Sequence, residues 1–441
     1  MSVAISGLVL GGSENRLRAN VLVFPCGSEI GLEIHRSVSH SSHFAVHGAS
    51  SAQDHGQVTY DLYTGGLPFV GDADFVPALN RLVAAEHIDL IVPAHDDAVL
   101  TLARAQADGS LGCRVVTSEL ATCEIARSKR ATYAALSGVI KTPRLFDEVG
   151  IGDLPIFVKP DRGQGSKGAA VVDRMSELES RLDADPELLM LELLPGDEYT
   201  VDCFTDRHGA LLYSGGRQRQ RVSNGISVRS AFVDDPQFDE LAEQINESLR
   251  FRGAWFFQLK RNGQGDLVLL EVAPRVAGTM GLSRCRGVNL VLLSLFDALD
   301  QDVTVRPNAF DLVVDRALTS RYSHDVRYQH VYLDLDDFII VREKVSPLVA
   351  AFMYQCINNG VRMHLLTRHR GDLPAILSRH RLSGMFDEIV HLRDDEEKHE
   401  YVLEQDAIFL DDSFAEREAV HRHRGVPTFD VHAVEALLEA I

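Results

Sequence analysis

The 441-residue chain is poor in cysteine, in positive charge and in long apolar runs. Its six cysteines, Cys26, Cys113, Cys123, Cys203, Cys285 and Cys356, lie far apart, and no C-x-x-C occurs among them. That spacing excludes a zinc knuckle or redox dithiol and suits reduced thiols in cytosol. Lys and Arg number 44 against 64 Asp and Glu, a net charge of −20. So acidic a chain argues against broad binding to nucleic acid or anionic lipid, while leaving room for local basic phosphate pockets. No apolar run approaches about 18 residues, so no membrane span is expected. The short apolar run near the start has no basic segment before it and does not read as a signal peptide. No G-x-G-x-x-G occurs within residues 1–122, which leaves a dinucleotide site there without support.

What is present is an ordinary globular composition, 45% hydrophobic and 24% charged, enough to bury a sizeable core. The length suggests about three domains. Strand-like and helix-like stretches alternate throughout, which favours α/β architecture. Residues 20–24, 88–93 and 113–116 read as short buried strands, and 29–37, 76–86 and 97–107 as helices. Together they predict a Rossmann-like domain over 1–122. Pro93 to Asp97 closes a strand, where open α/β sheets place ligands, or is simply a helix N-cap with an acidic first turn.

From Glu124 the pattern changes. A helix is expected from Ala126 to Leu136, with strands over 155–160, 188–193, 199–205, 255–260 and 267–272. Lys159 ends the first of these strands and leads into a loop containing Gly163, Gly165, Ser166 and Gly168. Such glycines let backbone N–H groups approach an anion, and the lysine adds a fixed charge; a plain hairpin turn is the alternative. Upstream, Lys129 is a second cation or a solvated helix-face residue. Glu192 to Glu198 joins two strands, where backbone groups can read an adenine edge and a carboxylate can hold ribose hydroxyls, or it is an acidic turn. Gln258 and Glu271 lie on neighbouring strands, a pairing of oxygen ligands that suits Mg²⁺, or form a polar hairpin rim. Arg275 would face a transferred phosphoryl group. Arg217, Arg219 and Arg221 alternate and would share one strand face, suiting a carboxylate substrate, or form a solvated basic strand.

As an ordered set, Lys129, Val158-Lys159-Pro160, the loop to Gly168, Glu192 to Glu198, Gln258 and Glu271-Val272-Ala273-Pro274-Arg275 resemble the ATP-grasp superfamily, particularly the branch like the large subunit of carbamoyl-phosphate synthase. The resemblance implies a two-lobed ATP-grasp domain over 123–305, preceded by its usual Rossmann-like partner. It implies ATP between the lobes, with Lys129 and Lys159 on phosphates, Glu192 and Leu194 at the adenine, Glu198 at the ribose, and Gln258 and Glu271 on Mg²⁺, for which Mn²⁺ can substitute. Ala273 departs from the family's usual E-x-N-P-R, and alanine cannot ligate a second metal ion.

Residues 306–328 read as a linker and 329–441 as a further βα series. An apolar strand ends in Asp334 and Asp336, a spacing that suits a nucleophile and a general acid/base. A second strand ends in Thr367, Lys398 follows, and a third ends in Asp411 and Asp412. An acidic turn alone explains the first motif but not the ordered four. They resemble the haloacid dehalogenase superfamily in a form without a large cap. The resemblance implies Asp334 as nucleophile, Asp336 as acid/base, Thr367 and Lys398 as phosphate-holding groups, and magnesium held by Asp334, the Asp336 carbonyl and Asp411 with Asp412.

The combined expectation is a cytoplasmic bifunctional enzyme. One part would be an ADP-forming carboxylate–amine ligase, the other a phosphatase acting on a related phosphorylated small molecule. The expected partners are small-molecule carboxylates and amines, with neither nucleic acid nor membrane; homodimers are common in this class. Carbamoyl- or acyl-phosphate formation, or a non-catalytic ATP sensor, are the alternative readings.

Overall fold

The computed structural model describes residues 18–439 apart from 164, 166, 224, 321 and 323. The chain forms two compact units, Met1–Leu318 and Thr319–Ile441. Among the described residues no helix is long and apolar enough to cross a membrane.

The first unit opens with β1 (Ala19–Phe24), β2 (Phe44–Ala49), β3 (Leu62–Thr64), β4 (Leu90–Pro93) and β5 (Arg114–Val115) in a parallel sheet of order β3-β2-β1-β4-β5. Residues 44–49 and 62–64 escape the sequence reading, because they are short and Gly-, His- or Thr-bearing rather than continuous apolar runs. Helix α1 (Glu29–Val38) is capped by the Ser28 side chain and covers one sheet face. Helices α2 (Phe75–Ala85) and α3 (Asp96–Ala107) cover the other, where Leu22, Phe24 and Ile91 meet Phe75, Leu79 and Leu102.

The expected helix 126–136 is two helices, α4 (Leu120–Arg127) and α5 (Lys129–Ala135). Ser128 breaks the run: its backbone is extended and its hydroxyl caps the Ala131 N–H. A small antiparallel sheet follows, of β6 (Leu145–Phe146), β7 (Ile156–Lys159), β8 (Ala170–Val172) and β9 (Leu189–Glu192), in the order β6-β9-β7-β8. It packs on α6 (Met175–Ala184) through Ile156, Val158 and Leu178.

The large antiparallel sheet runs β14-β13-β10-β11-β12-β15, from β10 (Glu198–Thr205), β11 (Leu211–Ser223), β12 (Ile226–Val233), β13 (Gly253–Arg261), β14 (Leu267–Ala273) and β15 (Val313–Asp315). Residues 313–315 thus belong to the sheet edge, paired with Arg229 to Ala231, and are not linker. Alternation gives this sheet two faces. Tyr199, Val201, Cys203, Trp255, Phe257 and Val272 pack with Phe238, Ala242 and Ile245 of α7 (Pro236–Ser248). Gly216 permits that approach, since a Cβ there would lie 2.2 Å from the Phe238 ring. Helices α8 (Gly281–Cys285) and α9 (Leu290–Ala298) follow. Leu290, Val291 and Leu295 of α9 share a core with Val21 and Val23 of β1 and Ile34 of α1, so the Rossmann-like part and the large sheet fold as one unit.

The second unit is a parallel sheet of order β20-β19-β16-β21-β22: β16 (His330–Leu333), β19 (Arg362–Thr367), β20 (Glu388–His391), β21 (Ala407–Leu410) and β22 (Thr428–Phe429). Between β16 and β19 lie only the hairpin β17 (Ile340–Val341) and β18 (Lys344–Val345) and helix α10 (Pro347–Asn358), with no inserted domain. Helices α11 (Leu373–Arg379), α12 (Lys398–Tyr401) and α13 (Phe414–Arg424) complete it. Phe338 is fully buried in its core beside Leu335 and Ile339.

Removing the Phe238 ring, which packs 5.3 Å from that of Tyr199, should cost about 3–5 kcal/mol. Phe238→Ala is expected to lower the melting temperature of the first unit while leaving the near-UV signal of the second unit unchanged.

Candidate functional site

The face of the large sheet opposite α7 is polar toward the end where Glu198, Thr200, Gln258, Lys260 and Glu271 stand. Register places Gln258 directly across from Glu271 and from Thr200, and Lys260 across from Glu198. With β7, β9 and the loop after Lys159, this face walls a cavity of about 200 Å³. Lys129, Lys159, Gly163, Gly165, Glu192, Leu194, Glu198, Gln258 and Glu271 all line it. Residues scattered over more than a hundred positions thus converge on one cleft. Gly165 and Gly168 have positive φ, 60° and 76°, a backbone that side chains disfavour. Ser166 lies outside the described residues.

Both lysines are buried. Lys129 opens α5, and its Nζ donates to the carbonyls of Asp161 and Gly163 at 3.2 and 3.3 Å. Lys159 Nζ donates to the Tyr133 hydroxyl at 2.9 Å and the Leu270 carbonyl at 3.3 Å. Leu270 is the extra residue where the β13–β14 register shifts, and such an irregularity re-aims its carbonyl. Among the described residues neither ammonium forms an ion pair, so two buried cations face the cleft with only neutral oxygens as partners. An anionic ligand fits that demand, and nucleotide phosphates are such a ligand. Burial pushes Lys159 down to about 8; Glu271, Glu198 and Asp161 oppose this, and Lys129 reinforces it.

Pro143, Phe157, Val171, Leu191, Leu194 and Leu270 supply apolar walls able to sandwich a planar base. The Glu192 carboxylate is already engaged, accepting from the Arg144 N–H at 3.0 Å. Glu198 lies between two cations, Arg219 Nε at 2.9 Å and Lys260 Nζ at 4.0 Å. Lys167, Lys260 and Arg219 also line the cleft; of these, Lys167 and Lys260 escaped the sequence reading because a single surface lysine carries no pattern. Gln258 and Glu271, cross-strand neighbours, have side chains about 5 Å apart at Cβ and can share one cation. Ala273 lies two residues further along the same face and packs with Phe256 and Ala277, which leaves a methyl where an oxygen ligand would be.

Two expectations need correction. Arg217, Arg219 and Arg221 do not act as one row. Arg217 is buried, ion-paired with Asp202 and bonded to Thr279 Oγ1 at 2.8 Å. Register irregularities separate Arg219 from Arg221, and Arg221 turns to Asp315 on β15. Only Arg219 reaches the cleft. Arg275 does not line it either: Asp96 clamps it at 2.6 and 2.9 Å. The segment Pro93 to Asp97 is a helix cap, His95 Nδ1 accepting from the Asp97 N–H, whose acids serve structure. Asp96 holds Arg275 and Asp97 holds Arg127.

In the second unit the strand ends converge. Asp334 follows β16, Thr367 ends β19 and Asp411 follows β21, all three buried. Lys398, the first residue of α12, donates to Asp334 Oδ1 and Asp411 Oδ2, each at 2.6 Å. One oxygen each from Asp334, Asp411 and Asp412 lies within 4.8 Å of the others. Burial raises both Asp334 and Asp411 above the ordinary carboxylate range, with a neighbouring carboxylate adding to the shift and Lys398 opposing it. Two carboxylates sharing one ammonium leave a net negative charge, which a divalent cation would neutralise. Asp336 stands apart: its half-exposed carboxylate meets His369 Nδ1 at 3.0 Å, a partner that sequence reading missed.

The first unit has the ATP-grasp fold. Residues 184–319 match the family model described as ATP-grasp in the biosynthetic pathway with Ter operon. Among solved structures, a biotin carboxylase from Campylobacter jejuni in complex with β,γ-ATP aligns at TM-score 0.54 and 13% identity, covering 65% of this chain and 72% of that one. N5-carboxyaminoimidazole synthetase from Staphylococcus aureus, complexed with ADP, aligns at 0.53 and 15%, covering 67% and 80%. An L-amino acid ligase from Bacillus licheniformis aligns at 0.51 and 18%, covering 65% and 75%. No curated protein matches the chain in sequence.

Phosphate binding favours protonated Lys159, so affinity for ADP should fall up to tenfold per pH unit above about pH 8. Lys159→Arg should flatten that slope, as read from titration with a fluorescent ADP analogue. In the second unit protons compete with metal for Asp334 and Asp411. A divalent cation titrated into the protein should therefore bind there more weakly as pH is lowered from 8 to 6, and a flat dependence in calorimetry would contradict the shared-carboxylate site.

Proposed function

We propose that the first unit is an ADP-forming carboxylate–amine ligase and the second a Mg²⁺-dependent phosphatase that uses an aspartyl nucleophile. One observation carries the ligase reading: Lys129, Lys159, Glu198, Gln258 and Glu271 line a single cleft around two buried ammonium groups that, among the described residues, form no ion pair. In this reading Lys129 and Lys159 hold nucleotide phosphates, Leu194 and its apolar neighbours hold the base, and Glu198 approaches the ribose. Gln258 and Glu271 hold Mg²⁺, which would neutralise charge on the phosphates. A substrate carboxylate takes the γ-phosphoryl group as an acyl phosphate, and an amine then displaces phosphate. Arg219, which lines the cleft and is paired with Glu198, would meet the carboxylate substrate. The solved neighbours support the chemistry, since one is named as an amino acid ligase and another is complexed with ADP. The motif order, with a Rossmann-like part ahead, supports the carbamoyl-phosphate synthase-like branch. The matched family's description supports a place in a biosynthetic pathway.

For the second unit, the buried Asp334–Lys398–Asp411 triad with Thr367 at the adjacent strand end supports the haloacid dehalogenase-like reading. Asp334 attacks phosphorus and expels the alcohol, whose oxygen takes a proton from Asp336; Lys398 neutralises the phosphoryl oxygens, as would a divalent cation held by Asp334, Asp411 and Asp412, and water then hydrolyses the aspartyl phosphate to free Asp334 and phosphate. Asp336, aided by His369, is the proton-transfer group. Ala273, packed among apolar groups, favours a second reading of the first unit: a non-catalytic ATP-binding sensor.

Lys159→Ala should abolish amine-dependent ADP release, a loss of at least about a thousandfold, and spare phosphomonoester hydrolysis; Asp334→Asn should do the reverse. Metabolite profiling with ATP on both proteins reads the two steps, and loss of both activities in either variant contradicts independent sites. Nucleotide binding without ADP release across a broad panel of acids and amines would select the sensor.

A further inference from the structure

The second unit carries a further polar cluster that neither proposed activity uses. His330 and Tyr332 project from one face of β16, since they stand two residues apart, and register sets Tyr332 beside His364 of β19. On the opposite face Val331, Leu333, Met363 and Leu365 fill the core. His330 opens β16 and Asp334 follows its end, so the two ends lie about 13 Å apart at about 3.3 Å per residue.

His330 Nδ1 and His364 Nε2 approach to 3.0 Å. Glu404 Oε1 is 3.9 Å from His330 Nδ1, and one ligand atom from each of the three residues lies within 4.8 Å of the others. Each group is aimed by a neighbour. Glu388 Oε2 lies 3.0 Å from His364 Nδ1; a proton held there leaves the Nε2 lone pair facing His330. The Tyr332 hydroxyl donates to Glu404 Oε2 and accepts from the Leu403 N–H, which leaves Oε1 toward the histidines. The Tyr332 ring also stacks on that of His364, with centroids 4.5 Å apart.

We propose that His330 Nδ1, His364 Nε2 and Glu404 Oε1 bind one Zn²⁺-class ion, with Glu388 and Tyr332 as its outer shell. Two imidazole nitrogens and a carboxylate suit zinc rather than magnesium, which prefers oxygen. A carboxylate behind a ligating histidine fixes its tautomer and raises its basicity. Two nitrogens on one tetrahedral ion at about 2.0–2.1 Å would be about 3.3 Å apart, a small widening of the observed contact. Glu404 and Glu388 together carry two negative charges, which match a divalent cation. The fourth position faces outward, since His330 and Glu404 are partly exposed, and takes water. The ion would tie β16, β19 and the loop before β21 together, a structural staple at the opposite end of the sheet from Asp334.

The test uses the full chain, stripped with chelator and then held in excess Mg²⁺ to fill the carboxylate pockets. Co²⁺ should give the visible absorption of a four-coordinate site at one equivalent, and Zn²⁺ should bleach it. In competition with a chromophoric chelator, His330→Ala and Glu404→Gln, at partly exposed positions, should weaken Zn²⁺ binding at least tenfold. Glu388→Gln should weaken it about 10–100-fold, and Asp334→Asn should leave it unchanged. Less than one equivalent bound by the wild type, or equal affinity in His330→Ala and Glu404→Gln, would overturn the proposal and leave a histidine–histidine hydrogen bond in its place.

Discussion

Two ammonium groups held nearly out of water set the terms for the first unit. Burying a cation is costly unless a counter-charge is supplied, yet among the described residues Lys129 and Lys159 donate to carbonyls and a phenol and form no ion pair. The surrounding architecture maintains that imbalance. Ser128 breaks the helix so that Lys129 begins a new one against the glycine loop. The register shift on β14 turns the Leu270 carbonyl toward Lys159. Meanwhile Asp96 and Asp202 absorb nearby arginines that would otherwise add charge to the region.

The second unit poses the inverse problem. Its buried site holds two carboxylates for one lysine, an excess of acid that a divalent cation would offset. Parallel strands make this placement natural, because adjacent strands end together and their terminal residues meet above the sheet. The same sheet brings histidines together at its other end, where strands β16 and β19 begin.

The charged motifs at strand ends were legible because strand ends are legible: an apolar run stopping at Lys159, Asp334, Thr367 or Asp411 states both the strand and the group it presents. Gln258 and Glu271 were legible as neighbours because a short hairpin joins their strands. The arginine row misled, since alternation predicts a shared face only while the register is unbroken, and the irregularity beyond Arg219 sends Arg221 to Asp315. Residues 313–315 looked like linker, because so short an edge strand carries too few residues to show a period. Ser128 reads equally well as a helix interior residue or a cap, which is why one helix was expected where two stand.

By itself the sequence determined the βα order, the apolar strands and the residue types at their ends, since these follow from local periodicity and from where it stops. Only tertiary structure decided which charges remain free. Arg275 and Lys159 are equally cationic on paper. Asp96, nearly 180 positions away in the chain, neutralises the first, whereas among the described residues no carboxylate comes within ion-pair distance of the second, and Glu271, Glu198 and Asp161 act on it only from further off. Ion pairing depends on which side chains packing brings within a few ångströms, and that is a property of the folded arrangement rather than of neighbours along the chain.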